Sequence, residues 1–339
     1  EELNESLGLG IDDWKEEISP LKTKYYLYLS GTPFRAIASG EFIEEQIYNW
    51  TYSDEQSAKE NWSEKNNPYD SLPRMVMMTY KMPESLMQIT QTDEFNEFDL
   101  NEFFKAEGHK EKARFKHENY VQQWLNLIRG SGLSNIYSNL KLGKNKPVLP
   151  YSDARLVNIL MHTLWFLPSV SSCYAMRNLI NQSSNIFFHD YKIIVCAGSD
   201  AGIGIKALEP LRKGMTDPLK SKTITLSCGK LTTGVTVRPW TGLFMLRNTS
   251  SPETYFQTAF RVQSPWTMTK EESHNTEEII KKECYVFDFA PNRALRLITD
   301  YSCRLSTQET NPEEKVNDFI KFLPVLCFDG SSLRKINAE

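Results

Sequence analysis

Short apolar runs alternate with amphipathic segments along most of the chain, and they predict strands separated by helices. Most of the strand-like runs carry apolar residues on both faces, which is typical of parallel strands in a sheet that is covered on each side. These runs are YYLYL (25–29), RMVMMTYK (74–81), HTLWFL (162–167), YKIIVCAG (191–198), KTITLSC (222–228), TGLFMLRN (241–248) and KECYVFDFA (282–290). The pattern therefore predicts an α/β fold built on a parallel sheet.

The segments between these runs have a helical period. They are SVSSCYAMRNLINQ (169–182), GIGIKALEPLRKG (202–214) and SPETYFQTAFRVQ (251–263), and a further helix is predicted at NPEEKVNDFIKFL (311–323). Because strand-helix-strand crossovers in one sheet are right-handed, the strand ends should meet at one edge. That edge is where open α/β sheets keep their ligand sites.

Residues 91–150 differ in character from the rest of the chain. The part from 92 to 130 is rich in charge and helical in period, and 131–150 reads as a loop. A charge run of this kind is typical of a solvated helical surface. We expect a helical insert here.

Composition excludes few classes of function. The chain has 339 residues, is 40% apolar and carries a net charge of −4, so no global basic field indicates nucleic acid, although a local basic groove remains compatible with that total. The six cysteines form no CxxC pair, and several lie in apolar runs, which indicates reduced thiols in a cytoplasmic protein. No zinc-type histidine spacing and no membrane-spanning run occurs in the sequence.

Complete nucleotide-binding signatures are absent from the sequence. Gly229-Lys230 has no glycine five residues upstream and no hydroxyl residue directly after the lysine, so it is not a Walker A loop. Asp288 ends a strand as a Walker B aspartate does, but Phe289 follows where an acidic partner is expected. A nucleotide site within this chain would be incomplete.

Three segments are informative, each at or after the exit of a predicted strand, and the third contains a predicted helix. They read LSGTPFR (29–35), SCGKLTTGVTV (227–237) and SPETYFQTAFRVQSPW (251–266). In the last, Gln257 and Arg261 are four residues apart and share one helix face. An amide and a guanidinium on one face can hold a phosphate oxygen, whereas the alternative is a surface salt bridge of Arg261.

The order of these segments resembles motifs III, IV, V and VI of superfamily-two helicase-like ATPases, in the branch that contains restriction-enzyme subunits. LSGTPFR resembles motif III, LWFLPSVSSCYAMRNLI motif IV, TITLSCGKLTTGVTV motif V and PETYFQTAFRVQ motif VI. The resemblance implies a RecA-like parallel sheet covered by helices. It further implies that two such domains enclose ATP and that the Walker A and B motifs belong to a domain outside this sequence.

The resemblance also implies roles for individual residues. Gln257 and Arg261 correspond to catalytic groups that face the γ-phosphate, and an arginine of this kind contributes roughly 10³–10⁵ in rate. The family residues that couple the ATP state to nucleic-acid binding match Ser30, Gly31, Thr32, Thr233 and Gly234. The family residues that contact the nucleic-acid backbone match Ser169, Lys230 and Thr232.

The implied organisation has four ranges. They are a remnant of the first RecA-like domain with a connector (1–90), the helical insert (91–150), the second RecA-like domain (151–295) and a C-terminal extension (296–339). ATP and Mg²⁺ are expected only together with the missing first domain, and none is expected to bind tightly to this chain alone. The expected partners are DNA, or RNA, and the rest of a parent protein.

Two further interpretations remain open. One is a non-catalytic helicase-like module for DNA binding or assembly, which the serine at position 264, in place of the usual second arginine of motif VI, favours. The other is an unrelated α/β protein.

Overall fold

The computed structural model describes residues 24–25, 27, 29, 46–87, 98–131, 148–198, 207–232, 234–269, 277–305, 311–328 and 333–336. The chain divides into two compact units, 1–33 and 34–339. Nearly all of the first unit, including Ser30, Gly31 and Thr32, lies outside the described residues, as does Thr233. In the part of the chain that is described, no helix is both long and apolar enough to cross a membrane.

The first half of the described chain contains one long strand, a small hairpin and four helices. In chain order these are α1 (Tyr52–Asn61), β1 (Arg74–Tyr80), α2 (Glu84–Met87), α3 (Leu100–Phe103), β2 (Ala106–Glu107), β3 (Arg114–Phe115) and α4 (Glu118–Ile128). A 3₁₀ turn, Lys110–Lys112, connects β2 to β3.

The second half alternates strands and helices as the apolar pattern predicts. Its first elements are α5 (Ala154–Ile159), β4 (His162–Phe166), α6 (Val170–Ile180), β5 (Lys192–Val195), α7 (Glu209–Gly214) and β6 (Thr223–Ser227). The next are β7 (Gly242–Met245), α8 (Pro252–Ala259), β8 (Thr267–Thr269), β9 (Glu277–Ile279) and β10 (Glu283–Asp288). The last are α9 (Pro291–Arg304), α10 (Pro312–Phe322), β11 (Val325–Phe328) and β12 (Leu333–Lys335).

The central sheet has the strand order β12-β11-β1-β10-β7-β4-β6-β5. Its strands run parallel except for β12, which is antiparallel to β11. Phe166 of β4 pairs with Ser227 of β6 and Met245 of β7, and Met245 pairs with Asp288 of β10. These four strands end side by side at what we call the carboxyl edge. The predicted α/β fold with a parallel sheet is confirmed.

Successive residues of each central strand enter two different apolar cores. In β4, Trp165 lies in one core while Leu164 and Phe166 lie in the other. Helices α3, α4 and α6 contribute to the first core, and α7, α8, α9 and α10 to the second. Coverage of both faces explains why the strands read as continuous apolar runs.

The sheet includes strands from outside the range 151–295. Strand β1, from the range assigned to a preceding domain, lies between β10 and β11, and β11 and β12 come from the range assigned to an extension. Six of the seven residues of β1 are buried, so this strand requires a neighbour on each edge and cover on each face. The four ranges stay a prediction as domain boundaries, but this sheet does not follow them.

The range predicted as a helical insert is only partly helical. It contains α3 and α4, but the segment between them is the hairpin of β2 and β3. Gly108 begins the turn with a φ of +85°, and a Cβ there would lie 2.6 Å from the Lys112 carbonyl oxygen. A right-handed helix cannot continue through a residue with this φ, so one helix from α3 to α4 is excluded.

A buried ammonium fixes the connection between β6 and β7. Lys281 is 2% exposed, and its Nζ donates to the carbonyl oxygens of Arg238, Trp240 and Val262 at 2.7, 2.8 and 2.9 Å. Burial lowers the pKa of Lys281 to about 8. All three of its donors are satisfied, which offsets much of the cost of burying the charge.

A buried imidazole lies at the opposite end of the strands from the carboxyl edge. His162, the first residue of β4, is 0% exposed, and its ring nitrogens lie 2.8 Å from the Pro218 carbonyl oxygen and 2.9 Å from Thr223 Oγ1. Because the carbonyl can only accept, Nε2 carries the proton in the neutral ring. Burial lowers the pKa of His162.

Replacement of Lys281 should destabilise the fold. Lys281→Met leaves three carbonyl oxygens without their donor, and we expect a loss of roughly 2–4 kcal/mol in the free energy of unfolding. Urea denaturation at pH 7 measures it. Lys220→Met, at a side chain that is 86% exposed, is the control and should change stability little. Equal effects of the two substitutions would contradict the role of Lys281.

The His162 ring should make the free energy of unfolding depend on pH in the acidic range. Its pKa in the folded state lies below the unfolded value of about 6.5, so below that pH the unfolded chain takes up a proton that the folded chain does not. The free energy of unfolding should therefore fall as pH decreases through 6.5, by up to about 1.4 kcal/mol per pH unit from this group. Chemical denaturation from pH 7.5 to 5 should show that the free energy of unfolding of His162→Gln depends less steeply on pH than that of the wild type. An equally steep dependence in the two proteins would contradict the role of His162.

Candidate functional site

The predicted nucleic-acid contacts lie at the carboxyl edge of the sheet. Ser169 follows β4, and Lys230 and Thr232 follow the neighbouring strand β6. The structure thus brings these segments to one edge, as parallel strands require. What each side chain does there differs.

Ser169 is the N-cap of α6. Its Oγ accepts a hydrogen bond from the Ser172 backbone N–H at 3.1 Å and lies 2.8 Å from Ser172 Oγ. The Ser172 hydroxyl also bonds to the Phe104 carbonyl oxygen at 2.7 Å. Ser169 therefore sits at the start of α6 next to the chain that leads into the hairpin of β2 and β3.

Thr232 faces inward. It is 5% exposed, and both its backbone N–H and its hydroxyl donate to the Gly229 carbonyl oxygen, at 3.1 and 2.6 Å. The hydroxyl closes the turn after β6. Gly234, two residues further on, is exposed and has a φ of +66°, the left-handed conformation that glycine adopts without strain.

Two cationic side chains, Arg247 and Lys230, lie near the exit of β6. The Cys173 thiol is hydrogen-bonded to Cys228, and this bond together with the charges of Arg247 and Lys230 lowers the pKa of the half-buried Cys228 thiol. Arg247 Nη1 also donates to the Cys228 carbonyl oxygen at 3.1 Å, and its guanidinium lies 5.6 Å from the centre of the Phe166 ring. The environment of this exit therefore favours an anion.

Arg247 was missed at the sequence level. The run TGLFMLRN was identified as a strand, and in a parallel sheet its last residues reach the carboxyl edge together with those of β6. The sequence signal for Arg247 is an arginine at the end of a buried strand whose exit shares an edge with other strand exits.

Arg261 lies away from this edge. It follows α8 in a 3₁₀ turn, Phe260–Val262, and its Nε donates to the Gln257 carbonyl oxygen at 3.1 Å. Its Nη1 donates to the Val235 carbonyl oxygen at 2.8 Å, and burial lowers its pKa. The half-buried guanidinium therefore connects the end of α8 to the loop that begins at Gly234.

Arg261 and Lys281 hold the same loop. Arg261 bonds to Val235, and Lys281 bonds to Arg238, Trp240 and the backbone of Val262. The predicted residues thus form two groups. Ser169, Lys230 and Thr232 follow strands at the carboxyl edge, and Gln257, Arg261 and Gly234 surround the connection that leads to the start of β7.

Asp288 is part of a buried network rather than a metal site. It is 0% exposed and forms a salt bridge with Arg293, whose Nη2 donates to both carboxylate oxygens, at 2.8 and 2.9 Å. Its carboxylate also accepts from the Tyr255 hydroxyl at 2.9 Å and the Ala290 backbone N–H at 2.8 Å. These contacts occupy both oxygens, and no group of three acidic, histidine or cysteine side chains that could hold a metal ion occurs among the described residues.

The network continues into the segment before β2. Arg293 Nη1 donates to Asn248 Oδ1, and Asn248 Nδ2 donates to Asp99 Oδ1 at 2.8 Å. Asp99 is the N-cap of α3, and its Oδ1 also accepts from the backbone N–H groups of Asn101 and Glu102. The strands and the segment 98–131 are therefore joined by polar contacts as well as by the apolar core.

Comparison with known proteins gives a partial relationship. No protein-family model matches the chain. A Mycoplasma pneumoniae protein named "Putative type II restriction enzyme and methyltransferase RM.MpnORF110P C-terminus" is 28% identical over 97% of this chain and 47% of its own length. The chain therefore spans about half the length of this relative. The similarity supports a restriction-type relationship at a coarse level.

A solved structure with partial overlap is the C-terminal part of the Fun30 ATPase domain. It is 11% identical, covers 51% of this chain and 49% of its own, and gives a TM-score of 0.28. An overlap with this TM-score supports no argument about fold or function.

Proposed function

We propose that the chain is the second motor domain of an ATP-dependent DNA translocase or helicase within a restriction-type enzyme. The observation that carries the proposal is the similarity of 97% of the chain to a relative that is named as part of a restriction enzyme and methyltransferase. The order of the helicase-like motifs along the sequence supports the assignment of this chain as a motor domain. The rest of the enzyme, including the Walker A and B motifs, is proposed to belong to the same assembly.

Two features of the geometry support this proposal. The exit of β6 brings together Lys230 and Arg247, and two cations suit contacts to backbone phosphates that position nucleic acid without reading its sequence. Arg261 is held at one end of α8 by two backbone carbonyls, so its guanidinium has a fixed position. A fixed guanidinium can stabilise charge on a phosphoryl group without reorganisation.

The proposed roles in ATP hydrolysis are divided between two domains. Gln257 and Arg261 would face the γ-phosphate. By the helicase-like resemblance, lysine, metal and base would come from the first motor domain. ATP hydrolysis would supply the free energy for movement along DNA. This chain would orient the γ-phosphate and bind the nucleic-acid backbone.

The bonds of Arg261 also favour a second candidate. Nε and Nη1 both donate to carbonyl oxygens of the chain itself, as they would if Arg261 only stabilised the loop. A helicase-like module that binds DNA or assembles the enzyme without hydrolysing ATP is the alternative.

Substitution of Arg261 separates the two candidates. In the full natural chain, Arg261→Ala should lower DNA-stimulated ATP turnover by about 10³-fold or more, because transition-state charge loses its partner, while DNA affinity stays within about twofold. Arg155→Ala, at a side chain that is 82% exposed, is the matched control and should retain turnover. Steady-state ATPase assays and DNA-binding titrations give both quantities.

Two outcomes would contradict the proposal in different ways. Turnover that is unchanged in Arg261→Ala would remove its catalytic role. An absence of ATP hydrolysis by the full natural wild-type chain, with DNA binding retained, would favour the non-catalytic module.

A further inference from the structure

The hairpin of β2 and β3 has a defined structure. Glu107 pairs with Arg114 and Ala106 with Phe115 across the two strands. The turn is fixed by Gly108, whose conformation excludes a side chain, and by Lys110, which has a φ of +51°. These two positive-φ positions, which His109 separates, hold the hairpin turn in one shape.

Helix α6 holds the hairpin along its length. The Ser171 hydroxyl donates to the Gly108 carbonyl oxygen at 2.8 Å, and Asn178 Nδ2 donates to the carbonyl oxygens of Lys110 and Ala113 at 2.7 and 3.0 Å. These are bonds to backbone groups, so they fix the hairpin whatever side chains it presents. The hairpin is therefore a rigid support for its exposed residues.

The outer face of the hairpin is basic. Ala113 and Phe115 are buried against the core, whereas Lys112, Arg114 and Lys116 are exposed. These three cations line a cleft of about 290 Å³, together with Glu107, Gly108 and part of Phe115. From residue 102 to 117 the chain has five Lys or Arg and three Glu, while the whole chain has a net charge of −4. The positive charge is thus local.

The carboxylates nearby neutralise the cations only in part. Glu102 bonds to Lys116 at 2.5 Å and to Lys105 at 3.0 Å, so one carboxylate serves two ammonium groups. Arg114 Nη1 donates to the carbonyl oxygens of Glu111 and Ala113, which positions its guanidinium and adds no negative charge. Phosphate is the anion that multivalent Lys and Arg surfaces of this kind bind.

We propose that this hairpin is a binding site for the phosphate backbone of DNA, with Lys112, Arg114 and Lys116 as the contacts. The site rests on the proposed function and extends it to a part of the chain outside the motifs. It continues from Ser169 at the carboxyl edge, because Ser169 caps the helix whose next residues, Ser171 and Ser172, bond to the backbone of Gly108 and Phe104. DNA that reaches the start of α6 would meet the cleft next.

The salt dependence of DNA binding tests the site. In the full natural chain, Lys112→Gln, Arg114→Gln and Lys116→Gln combined should reduce the slope of log K against log salt by about 2.7, since each duplex phosphate contact contributes about 0.9. Between 50 and 200 mM salt, the wild type should therefore lose about 40-fold more affinity than the variant. Fluorescence titrations with a labelled duplex of mixed sequence measure the slope.

A matched variant controls for total charge. Arg212, Lys213 and Lys220 are exposed and belong to α7 and the segment after it, on the opposite face of the sheet. Their combined change to Gln removes the same charge and should leave the salt slope within about 0.5 of the wild type. Lys112→Arg with Lys116→Arg should keep the slope, and thermal unfolding of all variants confirms that the hairpin is folded.

The outcomes distinguish the site from the function. If the wild type binds DNA with DNA-stimulated ATPase activity and the hairpin variant has the wild-type slope, the hairpin site is overturned and the proposed function stands. If the control variant loses as much slope as the hairpin variant, the effect is one of net charge and the site is likewise overturned. A wild-type chain that binds no DNA at 50 mM salt would overturn the proposed function and the hairpin site together.

Discussion

The buried pair of Asp288 and Arg293 connects strand β10 to helix α8, to the segment after β7 and, through Asn248, to the segment before β2. Asp288 ends β10 and Arg293 lies in the first turn of α9, and both side chains are at most 4% exposed. A buried pair of this kind persists when its remaining hydrogen-bonding groups are satisfied, and here Tyr255, Ala290 and Asn248 supply most of the partners. Helix α8, strand β7 and the segment before β2 are thereby fixed relative to β10.

This fixation matters because the candidate site is assembled from strand ends. Residues at the carboxyl edge keep their relative positions only if the strands stay in register and the segments after them do not shift. The Asp288 network holds the exits of β7 and β10 together, while Arg261 and Lys281 hold the connection from β6 to β7 through backbone carbonyls. Arg261 and Lys281 bond to backbone carbonyl oxygens. Arg293 bonds to the buried carboxylate of Asp288.

The alternation of strands and helices was readable from the sequence because its cause is local. Strand β4, for example, contains Leu164, Trp165 and Phe166 in succession, and such an apolar run requires cover on both faces of a sheet. The helix after Ser251 was also readable, since a serine cap followed by Pro252 and Glu253 satisfies the first N–H groups and favours the start of a helix. The hairpin was not recognised, because its charged residues suggested a solvated helix while the signal of period two extends over only a few residues.

Periodicity, capping and the handedness of crossovers suffice to predict the α/β class, most of the elements in the second half and the arrival of Ser169 and Lys230 at one edge. Only the three-dimensional packing shows that β1 enters the same sheet, that Thr232 turns inward, that Arg261 bonds to Val235 and that Lys112, Arg114 and Lys116 share a cleft. These features depend on residues far apart in the chain, on the direction of one side chain or, for the cleft, on the hairpin that α6 holds. Such relations arise from packing and hydrogen bonding in three dimensions, and no local pattern encodes them.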